Sequence, residues 1–470
     1  MTPVTPVTPV TPVTPVTRVT PMAPVAPAGA AALAIVIAAA CATACAGAPR
    51  ATPGPAPLPA ISLREFTRFV DTMVTAPRFR NAHWGVLIVD PAAGDTLYSH
   101  NAGKLFMPAS NQKLVTGATA LAQLGPSYRF TTRFAATGPV DSTVHGDLVV
   151  LGTGDPTFSD TLQGGDYRNA FRAMADSLTA HGIRRVAGAL VRGGEAFTDQ
   201  PCGYGWELDD LDEAYGACVD ELFVNEGYQR VRRVRRGGDT VTVSVAIRDP
   251  RGAFLAALGD ALAARGIVVD GGPDTTRAAA DSGLTPIFTL RSVELPVIMA
   301  RMMKPSQNQI AELLFKTLGR ERTGAGTADS ARRVVERQLV TWGADTAGFA
   351  VRDGSGMSRH DYVTPETIVR VLDAMRRAPT FATWYATLPV AGVDGTLENR
   401  MRGTAAERNV HAKTGTVDKA RSLSGYVTAA DGRLLEFSFL CNNFTLPTRE
   451  VERVQDAILA ALASRPRPRR

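Results

Sequence analysis

The sequence predicts an α+β fold in which one sheet is built from both ends of the chain. Strand patterns run from Trp84 to His100 and return near the end of the chain, from Val410 to Cys441. Helical patterns fill most of the interval between them, apart from a strand-rich segment over 137–285. A sheet shared by distant parts of the chain, with helices packed on its faces, is typical of the α+β class.

Residues 1–60 predict a leader that precedes the fold. They begin with repeated Thr-Pro-Val, and proline favours an extended chain without packed structure. The small and apolar residues over 30–44 have the length of a signal-peptide core and are too few for a membrane-spanning helix. We therefore expect export to the periplasm or the cell envelope. Plain signal cleavage and lipoprotein cleavage both fit, and the second leaves a lipid anchor at Cys41 or Cys45.

The next elements are a helix, a hairpin and a second helix. Residues 61–74 show a helical pattern. Trp84–Asp90 and Thr96–His100 alternate as strands and are joined by a short turn, which predicts an antiparallel hairpin. A helix then begins at Ser110, because apolar residues follow it at helical spacing, and the Gly-Pro pair at 125–126 ends it.

The strand-rich segment also contains helices, a glycine-rich turn and two cysteines. Its predicted strands are Asp147–Leu151, Val186–Val191, Val231–Val234 and Thr240–Ile247, and its predicted helices are Tyr167–His181 and Arg251–Arg265. The glycine-rich stretch 151–156 lacks a Lys-Ser/Thr pair and a following helix, so it predicts a turn rather than a phosphate loop. In an exported protein we expect Cys202 and Cys218 to form a disulfide.

Helices return in the last part of the chain and are followed by strands. The predicted helices are Val293–Met303, Ile310–Leu318, Ala328–Trp342, one that starts at Thr364, and Arg449–Ala463, and the predicted strands are Val410–Val417, Ser424–Ala429 and Leu434–Cys441. A glycine-rich loop lies at Asp353–Gly356, and a basic tail occupies 464–470.

Composition narrows the possible partners. The net charge is +6, and part of this mild excess lies in the tail, so we expect no nucleic-acid partner. The cysteine and histidine spacing predicts no zinc site, and we expect no cofactor.

Arginine supplies nearly all the cations of the chain. Arginine stays protonated in a protein, whereas a buried lysine can lose its proton. The few lysines are therefore functional candidates: Lys104, Lys113, Lys304, Lys316, Lys413 and Lys419.

Ser110 and Lys113 are the first candidate catalytic pair. In a helix that begins at Ser110 they lie on one face about one turn apart. A lysine that burial or a neighbouring cation makes neutral can take the proton of the serine, which then acts as a nucleophile. Alone, this pattern more often reflects a helix-capping serine beside a solvated lysine. Two further stretches change that balance.

The second stretch contains Ser306 and Asn308, which are two residues apart in a predicted turn and can point into one cleft. The third stretch is a predicted strand with Lys413, Thr414 and Thr416. It offers a cation and hydroxyls, and the glycine at 415 lets a ligand approach the backbone. Each stretch alone is an ordinary turn or strand end, but all three in this order are hard to obtain by chance.

Together the three motifs resemble the signature of penicillin-binding proteins and serine β-lactamases. The surrounding residues are similar to the D-Ala-D-Ala carboxypeptidase/endopeptidase family of low-molecular-mass penicillin-binding proteins. The segments that carry this similarity are 108–113, 124–126, 154–156, 205–210, 353–359 and 388–397. The resemblance implies a transpeptidase-like catalytic domain over 61–136 and 286–463, an antiparallel sheet flanked by helices, with a strand-rich domain inserted over 137–285.

The resemblance also implies a role for each motif residue. Ser110 is expected to attack the carbonyl of a D-Ala-D-Ala bond and form an acyl-enzyme, with Lys113 as general base. Ser306 is expected to relay a proton to the leaving amine, helped by Lys413.

The remaining motif residues are expected to bind the substrate. Asn308 holds its backbone, while Lys413 and Thr414 bind its terminal carboxylate. The backbone N–H groups of Ser110 and Thr416 form the oxyanion hole. The implied partners are peptidoglycan stem peptides ending in D-Ala-D-Ala, and β-lactams as covalent inhibitors.

Three alternatives remain at this level. A serine β-lactamase uses the same motifs, but no glutamate for deacylation can be located and the long insertion argues against it. A catalytically silent cell-wall-binding protein is disfavoured by the intact motifs. A Ser-His-Asp esterase lacks the expected Gly-x-Ser-x-Gly sequence. The balance between carboxypeptidase and endopeptidase action stays open.

Overall fold

The computed structural model describes residues 62–235 and 238–466. The predicted leader, signal peptide and lipid anchor at 1–60 lie outside these residues, as does most of the basic tail. Within the described ranges, no helix is both long and apolar enough to cross a membrane.

The described residues alternate between helices and strands. The helices are α1 (Leu63–Val74), α2 (Gln112–Leu124), α3 (Arg168–Ala180), α4 (Pro250–Ala264), α5 (Leu295–Met303), α6 (Asn308–Thr323), α7 (Ala328–Thr341), α8 (Pro365–Arg377), α9 (Phe381–Thr387) and α10 (Thr448–Ala463). The strands are β1 (His83–Asp90), β2 (Asp95–His100), β3 (Thr131–Ala136), β4 (Thr143–Val144), β5 (Leu148–Leu151), β6 (Arg185–Val186), β7 (Leu190–Gly193), β8 (Tyr228–Val234), β9 (Thr240–Ala246), β10 (Val268–Val269), β11 (Pro273–Ala279), β12 (Thr285–Arg291), β13 (Phe349–Ala350), β14 (Tyr362–Val363), β15 (His411–Val417), β16 (Ala420–Thr428) and β17 (Leu434–Asn442).

The central sheet joins the two ends of the chain, as the sequence predicts. Its order is β15-β16-β17-β1-β2, and every neighbouring pair is antiparallel. The first strand β1 pairs with the last strand β17, with Val86 opposite Phe439. The α+β class is confirmed.

Alternation along the strands assigns each face of the central sheet to a different set of helices. Val86 and Phe439 face one side, where they share a core with α1 and α10. Leu87 points to the other side and packs against Val369 of α8. Successive side chains along a strand point to opposite faces, and both faces are buried because helices cover each of them.

Helix α2 lies at the centre of a second, helical core. Its apolar residues, among them Leu114 and Leu121, pack with residues of α5, α6, α7 and α8. Every residue from Gln112 to Leu121 is buried, polar ones included. The first turn of α2 is therefore both rigidly supported and removed from water.

The strand-rich segment forms its own five-stranded sheet, of order β11-β7-β5-β3-β12, with α3 and α4 packed against it. Its strand β3 lies before the predicted insert 137–285, and β12 extends beyond it from Thr285 to Arg291. We propose that the inserted region spans about 131–291, because these two strands complete its sheet.

The predicted single strand Val186–Val191 is wrong, since the structure divides it between β6 and β7 in two different sheets. The backbone N–H of Gly188 donates to the Gly146 carbonyl at 2.8 Å. A Cβ at Gly188 would lie 2.6 Å from that oxygen. This close backbone approach bends the chain out of one sheet and into the next.

The predicted disulfide between Cys202 and Cys218 is confirmed. It closes a loop that carries two short 3-10 turns, Leu208–Asp210 and Ala214–Gly216. We call residues 203–217 the disulfide loop.

Replacing Cys202 and Cys218 together by alanine is expected to destabilise the disulfide loop. Closing a loop of this length stabilises a fold by about 3 kcal/mol in the chain-entropy model. We expect a lower midpoint of thermal unfolding and new protease cleavage within 203–217. Reduced wild-type protein is the control and should behave like the variant. Unchanged cleavage in both would show that packing alone holds the loop.

Candidate active site

Ser110 lies in a 3-10 turn, Ala109–Asn111, directly before α2. The α-helix itself begins at Gln112, two residues later than the sequence predicts. The residue before the serine, Ala109, has a φ of 47°, which is in the left-handed region. This sharp turn leaves the Ser110 hydroxyl at a cleft while the backbone on either side is buried.

Lys113 lies one turn further on and is fully buried. Its Nζ is 2.7 Å from Ser110 Oγ, and it donates to Asn308 Oδ1 at 2.6 Å and to the Ser355 carbonyl at 2.8 Å. Burial lowers the pKa of Lys113 to about 7, against the opposing influence of the Asp353 and Glu312 charges. A neutral lysine has two N–H donors and one lone pair. The two fixed acceptors use the donors, so the lone pair is directed at the serine hydroxyl.

Ser306 and Lys413 form a second hydroxyl–amine pair in the same cleft. Lys413 Nζ donates to Ser306 Oγ at 2.8 Å and to the Thr414 carbonyl at 2.9 Å. Ser306 lies between α5 and α6 with a φ of 67°, a left-handed conformation that is unusual for serine. Burial, together with the charges of Lys113 and Arg421, lowers the pKa of Lys413 well below its usual value.

Two side-chain hydrogen bonds hold the turn that carries Ser110 against strands β15 and β16. Asn111 Nδ2 donates to the Lys413 carbonyl at 2.7 Å, and Ser422 Oγ donates to the Pro108 carbonyl at 2.7 Å. The sequence motifs assign no role to Asn111. It is completely buried, and its partner is distant in the chain.

Gly415 allows this close approach of the strand and the turn. A Cβ at this position would lie 2.1 Å from Ser422 Oγ, 2.7 Å from the Pro108 carbonyl oxygen and 2.9 Å from the Ser110 nitrogen. The backbone of β15 therefore passes directly beside the amide of the predicted nucleophile. Any side chain at 415 would push the two apart.

Asn308 connects Lys113 to the disulfide loop. Its Oδ1 accepts from Lys113, and its Nδ2 donates to the carbonyl of Tyr215 at 2.9 Å. It is also the first residue of α6 rather than part of a turn. Both polar atoms are thus engaged within the protein, and the predicted contact with the substrate backbone stays a prediction.

Thr414 and Thr416 lie on β15 and face the cleft. Thr414 is buried, and its Oγ1 donates to Thr396 Oγ1 at 2.7 Å. Thr416 is exposed. Thr396 was not singled out from the sequence, because only the folded chain brings its 3-10 turn beside β15.

Buried carboxylates beneath Lys113 were also missed. Asp353 accepts hydrogen bonds from the backbone N–H groups of residues 355, 356 and 358, from Trp206 Nε1 and from the Ser355 hydroxyl. Glu312 accepts from the backbone N–H groups of residues 354 and 355. Together they fold the glycine-rich loop so that the Ser355 carbonyl meets Lys113. Burial first, then the nearby Asp353 charge, raises the pKa of Glu312 and of Asp361.

The cleft above these groups has a volume of about 760 Å³. Ser110, Ser306, Asn308, Thr414 and Thr416 all line it. Charged and polar residues form its outer part: Glu207, Asp210 and Tyr215 of the disulfide loop, together with Arg359, Asp418, Lys419 and Arg421. Among the described residues, no cluster of metal-ligating side chains is present.

Comparison with known proteins identifies the family. Residues 67–246 and 234–465 match the model of the D-Ala-D-Ala carboxypeptidase 3 (S13) family. The chain belongs to this family. The family and the enzyme class predicted from the three motifs are thereby confirmed, and neither the β-lactamase nor the silent alternative is favoured for this S13 carboxypeptidase.

Individual relatives agree with the family. A D-alanyl-D-alanine carboxypeptidase of Actinomadura sp. (strain R39) is 34% identical, over 85% of each chain. The crystal structure of penicillin-binding protein 4 (DacB) from Haemophilus influenzae has a TM-score of 0.73 at 21% identity and covers 86% of this chain and 99% of its own. The structure of its complex with a β-lactam has a TM-score of 0.65 at 22% identity, and it covers 85% of this chain and 98% of its own. These two structures confirm the predicted penicillin-binding-protein-like fold.

Replacing Gly415 by alanine is expected to lower the acylation rate at least about 100-fold, the usual cost of displacing one oxyanion-hole donor. The added methyl group must push β15 away from the Ser110 amide. Stopped-flow acylation by a chromogenic β-lactam measures the effect. Gly103→Ala is the matched control, because its Cβ meets nothing closer than 3.8 Å. Equal rates in the two variants would contradict the close approach at 415.

Proposed function

We propose that this S13 carboxypeptidase cleaves D-Ala-D-Ala ends and cross-links of peptidoglycan stem peptides through an acyl-enzyme on Ser110. The observation that carries the proposal is the 2.7 Å contact between Ser110 Oγ and Lys113 Nζ. The other two partners of that amine, Asn308 Oδ1 and the Ser355 carbonyl, both accept hydrogen bonds from it. A buried amine with this set of partners accepts a proton from the serine at neutral pH.

Acylation begins when Ser110 Oγ attacks the carbonyl carbon of the penultimate D-Ala. The serine proton passes to Lys113, whose cation is stabilised by Asn308 Oδ1, the Ser355 carbonyl and the carboxylates beneath it. The developing oxyanion lies between the N–H groups of Ser110 and Thr416. Such donors act without reorganisation, because the backbone is already fixed on both sides.

Lys413 and Thr414 bind the terminal carboxylate of the substrate. The two lysines lower each other's affinity for a proton, as the influence of Lys113 on the pKa of Lys413 indicates. A bound carboxylate beside Lys413 favours the cation there, and that cation in turn favours the neutral form of Lys113. Substrate binding therefore places the proton on the binding lysine and leaves the catalytic lysine as a base.

The leaving D-Ala amine takes its proton from Ser306, and Lys413 replaces that proton across their 2.8 Å contact. The C–N bond breaks, and the acyl group stays on Ser110. The proton that Lys113 took from Ser110 then passes to the neutral Lys413, so both lysines regain their starting charge. Water attacks the ester and gives a proton to Lys113, which hands it to Ser110 Oγ as the ester bond breaks and the shortened peptide leaves. When the acceptor D-Ala belongs to a cross-link, the same steps give endopeptidase action.

The setting follows from the substrate. Peptidoglycan lies outside the cytoplasmic membrane, so an enzyme that acts on it must be exported. The relative from Haemophilus influenzae binds a β-lactam in one of its structures. We extend this to covalent inhibition here, because a β-lactam presents a carbonyl and a carboxylate to the same groups. Placement in the periplasm with a lipid anchor at Cys41 or Cys45 is part of the proposal.

Benzylpenicillin is expected to leave a penicilloyl group on Ser110 that persists for many minutes. Intact-mass spectrometry followed by peptide mapping locates the adduct, and release of D-Ala from a pentapeptide measures turnover. Ser110→Ala is expected to give neither adduct nor turnover, while Ser99→Ala, on the partly exposed edge strand β2, retains both. A short-lived adduct with consumption of the drug would indicate a β-lactamase instead.

Acylation is expected to accelerate as the pH rises through about 7, where burial has lowered the pKa of Lys113 and the neutral base becomes abundant. The second-order rate of acylation between about pH 5.5 and pH 9 measures this. Lys113→Arg should abolish acylation, because arginine keeps its proton. Lys104→Arg, at an exposed lysine, should keep the wild-type profile. A flat profile would contradict the role of Lys113 as base.

A further inference from the structure

The hairpin formed by β8 and β9 is a two-stranded sheet of its own, separate from the larger sheets. Its register places Arg230 opposite Ser244 and Arg232 opposite Thr242. Side chains of residues two apart in a strand share a face, and directly opposed residues also share a face. One face of the hairpin therefore presents two arginines beside hydroxyl groups. We call Arg230, Arg232, Thr240, Thr242 and Ser244 the arginine–hydroxyl face.

All five residues of the arginine–hydroxyl face are exposed. The opposite face differs, because its valines at 231, 241, 243 and 245 are each partly buried. Among the described residues, neither Arg230 nor Arg232 has an acidic partner within ion-pair distance. Most other arginines here do, such as Arg301 with Glu226 at 2.6 Å. The face thus has guanidinium donors available for a partner.

The hairpin is attached to the rim of the active-site cleft. The N–H of Ala246 donates to the Asp212 carbonyl at 3.1 Å, and Val245 forms a bridge with Glu213. Both acidic residues belong to the disulfide loop, and Tyr215 of that loop lines the cleft. The end of the hairpin at Ala246 therefore lies against the loop that forms part of the cleft wall.

We propose that the arginine–hydroxyl face is a docking site for polymeric peptidoglycan, which binds carboxylates of stem peptides that are not being cleaved. This inference rests on the proposed function. A guanidinium pairs with a carboxylate through two parallel hydrogen bonds, and neighbouring hydroxyls add further donors. Arg230 and Arg232 are about 6.7 Å apart along the strand, so they engage separate carboxylates. Each contact is weak, but a polymer offers many, and binding to the face raises the concentration of scissile ends at the cleft.

The test compares two neighbouring arginines that point to opposite faces. Arg232→Glu reverses a charge on the arginine–hydroxyl face, and Arg233→Glu makes the same change on the other face, opposite Val241. Binding is measured by co-sedimentation with insoluble peptidoglycan at low salt. Turnover is measured as D-Ala release from that peptidoglycan and from a soluble pentapeptide.

We expect Arg232→Glu to weaken co-sedimentation with peptidoglycan, and the double variant with Arg230→Glu to weaken it about tenfold. Each exposed ion pair contributes little, but each charge reversal also adds repulsion. D-Ala release from the polymer should fall in parallel, release from the pentapeptide should stay at the wild-type level, and added salt should remove the difference. Arg233→Glu should behave like the wild type.

Other outcomes overturn the inference. Equal losses in Arg232→Glu and Arg233→Glu would mean that net charge matters and not this face. Unchanged sedimentation in all variants would exclude the docking site. If Arg232→Glu weakened binding to vesicles rich in anionic lipid but left binding to peptidoglycan unchanged, the face would be assigned to a membrane surface. Failure of wild-type protein to turn over the pentapeptide would count against the proposed function alone, because sedimentation is measured independently.

Discussion

The site depends on keeping one lysine amine out of water. Lys113 lies in the first turn of a helix that is buried on every side, and burial is what brings its pKa close to neutrality. A buried amine without partners would be costly, so each of its hydrogen-bonding positions is filled. Asn308 and the Ser355 carbonyl come from distant parts of the chain to do this. The helical core, the start of α6 and the glycine-rich loop are all needed to support a single nitrogen atom.

The same constraint explains the buried acids. Asp353 and Glu312 accept hydrogen bonds from backbone N–H groups of the loop at 354–358. Their charges also partly offset the desolvation of Lys113. Trp206 binds Asp353, and Asn308 binds the Tyr215 carbonyl. The disulfide loop is thus hydrogen-bonded to the groups that surround the Lys113 amine. It forms part of the cleft wall and also helps to hold the proposed catalytic groups in place.

Local signals in the sequence were sufficient for nine of the ten described helices and for the strands of the central sheet, but not for β3, β11 and β12 of the second sheet. The apolar spacing after Ser110 predicts α2 to within two residues, and the strand patterns at both ends predict one sheet. The supports could not be predicted, because Asn111, Thr396 and Glu312 acquire their roles from partners that are far away in the chain. The break in the strand at Gly188 has the same origin, since it depends on the backbone of Gly146.

The pairing of β1 with β17 has a consequence for biosynthesis. Ser110, the proposed nucleophile, lies in the first quarter of the chain, but Lys413 and β17, which pairs with β1, lie in the last. Contacts of such long sequence separation form slowly, and here they cannot form before nearly the whole chain has been synthesised. The nascent polypeptide therefore has no assembled hydrolase site while it is still on the ribosome.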